Sequence, residues 1–122
     1  MSKPKKRILC VEDHPDTCEL ISTILKDYDS TSAYSKADAL MLATKEKFDI
    51  YLLDYHLPDG NGIELCLLIK NFDTKTPMLF VTGTSSMNEK QALTIGAQGL
   101  IKNTDDNFVD KLQKKVSELL EE

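Results

Sequence analysis

Five positions in this 122-residue chain are of the types that hold divalent cations or move phosphoryl groups: Glu12, Asp13, Asp54, Thr82 and Lys102. Each stands at the end of a short apolar run: Cys10-Val11 leads into Glu12-Asp13, Leu52-Leu53 into Asp54, Met78 to Val81 into Thr82, and Leu100-Ile101 into Lys102. Carboxylates crowded at one edge repel one another and resist leaving water, so three converging acids need a cation to coexist. An all-oxygen ligand set with open positions suits Mg²⁺, which keeps several waters. A carboxylate nucleophile, a metal, a hydroxyl and an ammonium are what phosphoryl transfer to a carboxylate requires. Taken singly, these acids read equally well as exposed loop residues or helix caps. Two neighbouring features favour a built cleft. The turn Leu57-Pro58-Asp59-Gly60-Asn61-Gly62 holds a loop under the sheet edge, and Gly83 leaves the Thr82 hydroxyl clear.

The elements that position these residues follow from periodicity. Strand-like runs fall at Ile8 to Val11, more weakly at Thr31 to Tyr34, then at Ile50 to Leu53, Met78 to Thr82, and briefly at Leu100 to Ile101. Helical spacing falls between and after them. Its apolar positions are Cys18, Ile21, Leu25 and Tyr28, then Ala37, Leu40, Met41 and Thr44, then Leu65, Leu68, Ile69 and Phe72. Ala92 and Ile95 mark a short fourth helix, and Val109, Leu112, Val116 and Leu119 a closing fifth. Alternation of this kind implies an α/β fold with a mostly parallel sheet covered on both faces, because right-handed crossovers return each strand to the same direction. Working groups in such folds gather at the carboxyl ends of the central strands.

Length and composition narrow the partners. A chain of 122 residues with 41% hydrophobic content fills one domain, residues 1–122, with residues 1–6 as a basic tail. The cluster Lys3, Lys5, Lys6 and Arg7 reads as solvated. A net charge of −5 disfavours direct nucleic-acid binding. No signal-peptide core and no apolar stretch of membrane length are found. Cys10, Cys18 and Cys66 form no CxxC pair and read as small buried hydrophobes, which fits a reducing, cytoplasmic setting.

Over essentially its whole length the sequence resembles the response-regulator receiver family. The resemblance is carried by Glu12-Asp13, Asp54 followed by Leu57-Pro58 and Gly62, Val81-Thr82-Gly83, Gly96-Ala97 and Lys102. It implies a flavodoxin-like doubly wound (βα)5 sandwich with a five-stranded parallel sheet in the order 2-1-3-4-5, an order for which the family is a standard example. It implies a phosphoacceptor at Asp54, loaded from a histidine kinase or histidine phosphotransfer protein. Mg²⁺, or Mn²⁺ in its place, would be held by Asp13, Asp54 and the backbone carbonyl of His56, with Glu12 acting through water. Lys102 would neutralise the phosphoryl group and Thr82 would report its arrival, while His56 and Thr84 are placed to tune its lifetime. Such a domain signals by altered protein contacts, with an output protein or in a phosphorylation-dependent dimer. It is not an enzyme beyond assisting its own phosphorylation and dephosphorylation. With strand order 2-1-3 the first and third strands are neighbours, so Asp13 and Asp54 can share one ion.

The sequence also departs from the family pattern. Receivers usually carry Tyr or Phe three residues before the lysine, where this chain has Gly99. The segment Gly96 to Lys102 is one residue shorter than usual, and another residue is missing between Thr82 and Gly96, so either alignment leaves no aromatic switch. Asn103 replaces the common proline, which makes a cis bond there costly. His14, ahead of Pro15, reads as a helix-start residue rather than a metal ligand. Three other readings compete. A dehalogenase-like phosphatase needs a second acid where His56 stands, and flavin binding needs a phosphate loop where Glu12-Asp13 stand. A phosphorylation-independent pseudo-receiver is favoured by Gly99 and opposed by the intact acids, Thr82 and Lys102.

Overall fold

The computed structural model of the protein describes residues 4–121. Five strands are β1 (Arg7–Val11), β2 (Asp29–Ala33), β3 (Ile50–Leu53), β4 (Met78–Thr82) and β5 (Leu100–Lys102). Five helices are α1 (Pro15–Ile24), α2 (Lys36–Lys45), α3 (Gly62–Lys70), α4 (Glu89–Thr94) and α5 (Phe108–Leu120). The strands form one parallel sheet in the order β2-β1-β3-β4-β5. The fold is the expected flavodoxin-like α/β sandwich. A small antiparallel hairpin, His56–Leu57 with Gly60–Asn61, stands apart from the sheet directly after Asp54.

Side chains alternate across a strand, so each apolar run feeds two cores. Leu9, Val11, Tyr51, Leu53, Met78 and Phe80 join the buried side chains of α2, α3 and α4 on one face. Ile8, Cys10, Ile50, Leu52, Leu79, Val81 and Ile101 meet those of α1 and α5 on the other. All three cysteines are free and buried. The strand ends at the site are therefore backed by a dry core on both sides.

The helical stripes differ from the sequence expectation in four helices. In α2 the face that packs is Ala39 and Ala43, while Met41 is 48% exposed. Leu40 of the expected stripe packs partly buried against the same core, whereas Met41 and Thr44 are exposed, and two alanines one turn apart let the helix lie close to the sheet. In α3 the buried set is Leu65, Cys66 and Ile69, with Leu68 exposed; Phe72 falls in the turn after the helix and is also exposed. α1 ends at Ile24, so Leu25 caps it and Tyr28 lies beyond it. Along α5 Phe108, Leu112 and Val116 are buried, and Val109 is exposed.

The basic cluster divides. Lys3 lies outside the described residues, and the Lys6 carbonyl accepts the Asp29 N–H at 2.9 Å. Arg7 is fixed rather than solvated: its guanidinium meets Glu46 at 2.6 Å and the Lys47 carbonyl at 3.1 Å, and stacks 4.6 Å over the Phe48 ring.

The α2 packing is testable. Ala39→Leu, which forces a larger side chain against the sheet, is expected to cost about 1–3 kcal/mol in urea unfolding. Met41→Ala is expected to stay within about 0.5 kcal/mol, the reverse of what side-chain size alone suggests.

Candidate functional site

Pairing of β1 with β3 runs through Val11 and Leu53, and the Asp54 N–H continues it by donating to the Val11 carbonyl at 3.0 Å. Glu12 and Asp54 are thus the first residues past two adjacent strand ends. On the other side, the Glu12 N–H donates to the Ala33 carbonyl at 3.0 Å, so Glu12 is held from both neighbouring strands. The residue is only 6% exposed, and its Oε2 is buried with no hydrogen-bond partner. Burial pushes the Glu12 carboxyl up to about 9, helped by the neighbouring carboxyl of Asp54 and by the charge of Asp13. One oxygen of Asp54, Oδ1, accepts the Tyr55 N–H at 2.8 Å, which fixes the rotation of that carboxylate.

His14 completes this edge. It is the residue before α1, as the sequence suggested, with Pro15 in the first turn, but its side chain makes no capping bond. Its Nδ1 instead lies 2.9 Å from Asp13 Oδ1 and 3.0 Å from Glu12 Oε1. Glu12, Asp13 and His14 together offer three ligand atoms in one cluster. His14 is thus both the helix-start residue that the sequence predicts and a neighbour of the acids, and its place directly after Glu12-Asp13 in a strand-to-helix loop is the signal for the second.

The loop after Asp54 is held at three points. The Gly62 N–H donates to the Tyr55 carbonyl at 2.7 Å, and a Cβ on Gly62 would run into the Asp54 carbonyl oxygen. Asn61 and Glu64 form a capping box that starts α3. Both Asp59 oxygens accept N–H groups at the start of α2, from Lys36 at 2.7 Å and Ala37 at 2.9 Å, which pulls the Asp59 carboxyl below the usual range.

Across the cleft, Thr82 is the β4 partner of Lys102 on β5, and its hydroxyl accepts the Thr84 N–H at 3.3 Å. Lys102 Nζ donates to the Thr84 carbonyl at 2.6 Å. The exposed His56 ring lies edge-on to Tyr55 and places Nε2 3.2 Å from Thr84 Oγ1. The structure therefore gathers Thr82, Thr84, Lys102 and His56 on one side and Glu12, Asp13, His14 and Asp54 on the other.

The departures have local consequences. The Asn103 N–H donates to the Thr82 carbonyl at 3.1 Å, a bond proline cannot make, and no peptide bond among the described residues is cis. The Asn103 amide also crowds Gly83, where a Cβ would meet its Oδ1 at 2.8 Å. At Gly99 the flanking atoms are Lys115 Cε, Leu79 Cδ1 and Glu89 Oε2, so the surface between α4 and α5 carries aliphatic and charged groups rather than a ring.

A doubly wound parallel sheet with acids, a hydroxyl and an ammonium at its carboxyl edge defines a class of signalling domain. The chain belongs to the response regulator receiver domain family, whose model matches residues 8–116. It is 35% identical over 96 residues to the response regulator protein PilR of Pseudomonas aeruginosa, which covers 76% of this chain and 22% of that protein. It is 34% identical over 124 residues to the transcriptional regulatory protein ZraR of Klebsiella oxytoca, covering 98% of this chain and 27% of that protein. The chain thus spans 22% and 27% of the length of these two relatives.

Among solved structures, a CheY-like receiver domain protein from Methanospirillum hungatei is 28% identical with a TM-score of 0.85, covering 95% of this chain and 94% of that one. TrrA of Thermotoga maritima, solved in complex with Mg(2+)-BeF, is 26% identical with a TM-score of 0.84, covering 94% of this chain and 99% of that one. Receiver domains generally bind Mg²⁺ at an acidic pocket, and response regulators interact with histidine kinases or phosphotransfer proteins. No helix among the described residues is long and apolar enough to cross a membrane.

The Glu12-Asp13-Asp54 edge fits a hard divalent cation: its donors are carboxylates, and the buried Glu12 Oε2 lacks a partner that a cation can replace. Without metal, Glu12 takes up a proton on folding, because its carboxyl rises from 4.5 to about 9. Stability from this group is fully present below about 4.5 and is lost as pH rises toward about 9. Glu12→Gln is expected to raise the metal-free midpoint at pH 8 by about 4 °C or more and to flatten the decline above pH 5, checked by thermal melts in chelator. A melt series with the wild-type decline would overturn the assignment.

Proposed function

We propose that the chain is a phosphoacceptor receiver domain in which Asp54 takes a phosphoryl group from a phosphohistidine on a histidine kinase or phosphotransfer protein. The observation that carries this reading is the placement of Asp54 beside the buried, partnerless oxygen of Glu12 at the shared edge of β1 and β3. In the step, an Asp54 carboxylate oxygen bonds to phosphorus, the phosphorus–nitrogen bond breaks, and the imidazole leaves with the electron pair. Mg²⁺ or Mn²⁺ supplies charge neutralisation when bound. Asp13 and Asp54 would hold it directly, with the His56 carbonyl, and Glu12 through water.

This chain's own groups do the rest. The Tyr55 N–H orients Asp54, and Lys102, at the end of β5, leaves the Thr84 carbonyl to pair with the incoming phosphoryl oxygens. Thr82, whose hydroxyl accepts the Thr84 N–H, moves that hydroxyl to the same group. His56 and Thr84, already 3.2 Å apart, lie over the approach of water and set the phosphoryl lifetime. The chain acts as a signalling domain inside the cytoplasm, in one domain, and is not an enzyme in its own right.

A second reading has support of its own. Gly99 removes the aromatic that couples the threonine to the output surface, and the Asn103 bond to the Thr82 carbonyl ties that strand end down. We propose that phosphorylation is retained and that the α4–β5–α5 face is remodelled for a different output protein rather than for the usual dimer. The pseudo-receiver, which keeps the fold without the chemistry, is the limit of the same trend.

The test is incubation with acetyl phosphate and Mg²⁺ followed by intact mass. Addition of one phosphoryl group is expected on wild type and none on Asp54→Ala. No addition to wild type at any metal concentration selects the pseudo-receiver. If a beryllofluoride complex shows the full Thr82 displacement together with dimer contacts through α4–β5–α5, the remodelled-face proposal fails.

A further inference from the structure

We propose that His14 is a nitrogen ligand of the metal site and biases it toward a first-row transition dication such as Mn²⁺ over Mg²⁺. This rests on the reading of Glu12, Asp13 and Asp54 as the metal edge. The imidazole Nδ1 is 2.9 Å from Asp13 Oδ1 and 3.0 Å from Glu12 Oε1. A ring nitrogen carries either one proton or one lone pair, so it can make one good hydrogen bond, not two equal ones. The His14 Nδ1–Asp13 Oδ1 separation matches one edge of an octahedron, roughly 3.0 Å for bonds of about 2.1 Å, and leaves Glu12 Oε1 beside it to accept from a metal-bound water.

Two further observations point the same way. Glu12, 6% exposed, leaves Oε2 without a partner beside this cluster, a cost that a cation removes. The backbone also commits His14. Pro15 forces the preceding residue into extended geometry, and His14 has φ −99° and ψ 111°. Its carbonyl accepts the Thr17 and Cys18 N–H groups at 3.0 and 3.2 Å, so the turn is anchored while the ring folds back over the acids. Its side chain is 72% exposed, so it stands on the solvent side of the buried Glu12 carboxyl.

Imidazole adds no charge. It exchanges a hard oxygen position for a nitrogen one, which raises affinity for Mn²⁺ and its neighbours relative to Mg²⁺. The sequence holds two histidines, so the assignment can be made unambiguous by substitution.

The experiment uses the full chain with Mn²⁺ alone, counting free ion by continuous-wave electron paramagnetic resonance and reading coordinated nitrogen by pulsed echo modulation. Wild type and His56→Gln are expected to show imidazole nitrogen modulation. His14→Gln is expected to lose it, to bind Mn²⁺ about tenfold more weakly, and to change Mg²⁺ affinity by less than about threefold. Asp13→Asn, which should abolish binding, identifies the site. Far-UV circular dichroism of His14→Gln matching wild type confirms that the fold is retained. Bound Mn²⁺ without nitrogen modulation, or modulation that survives His14→Gln, overturns the role of His14 and leaves the acidic site standing. No Mn²⁺ binding by wild type overturns the acidic site itself.

Discussion

Like charges brought to adjacent strand ends set the terms for this molecule. Glu12, Asp13 and Asp54 meet because β1 pairs with β3 in parallel and because Asp54 extends that pairing through the Val11 carbonyl. A carboxylate with 6% exposure and a partnerless oxygen cannot stay ionised beside another without a cation. A proton on Glu12 is the smallest such cation, and a divalent metal is the alternative. The surrounding structure holds the acids together against their repulsion. Apolar strands back them from both cores, Gly62 lets the following loop close onto Asp54, and Asp59 fastens that loop to the start of α2.

How much of this was legible depends on the kind of signal. Strand-end acids following apolar runs are visible because a buried parallel strand must be apolar and its end is marked by the first charge. Sheet order came only with the family resemblance, since periodicity carries no information on which strands pair. The α2 stripe misled because apolar pattern weighs side-chain size, whereas close helix-to-sheet approach selects the small Ala39 and Ala43. His14 escaped for a different reason. Proline spacing identifies where a helix begins, but not the direction in which the residue before it turns its side chain.

On the far side of the cleft the same contacts that position Lys102 also tie it down. Its ammonium is spent on the Thr84 carbonyl, and Thr84 in turn meets the His56 ring. Occupying the cleft with a phosphoryl group must therefore pull on Thr84 as well as on Thr82, because Lys102 cannot serve both partners at full strength. The Thr84 segment leads into Met87, which is buried in the core face shared with α4. A path from the site to α4 thus exists through backbone and packing even though Gly99 supplies no rotating ring.

That path differs in kind from an aromatic switch. A ring that swings between buried and exposed positions has two discrete packings, whereas Gly99 has no side chain to hold either one. The loop from Gly83 to Asn88 joins the site to α4, its ends pinned by β4 and by the Asn88–Gln91 capping box of α4. Asn103 stiffens its first anchor by bonding the Thr82 carbonyl. With both ends fixed, this loop is the stretch of chain that connects the Thr82 and Thr84 contacts to the buried Met87 and so to the core under α4.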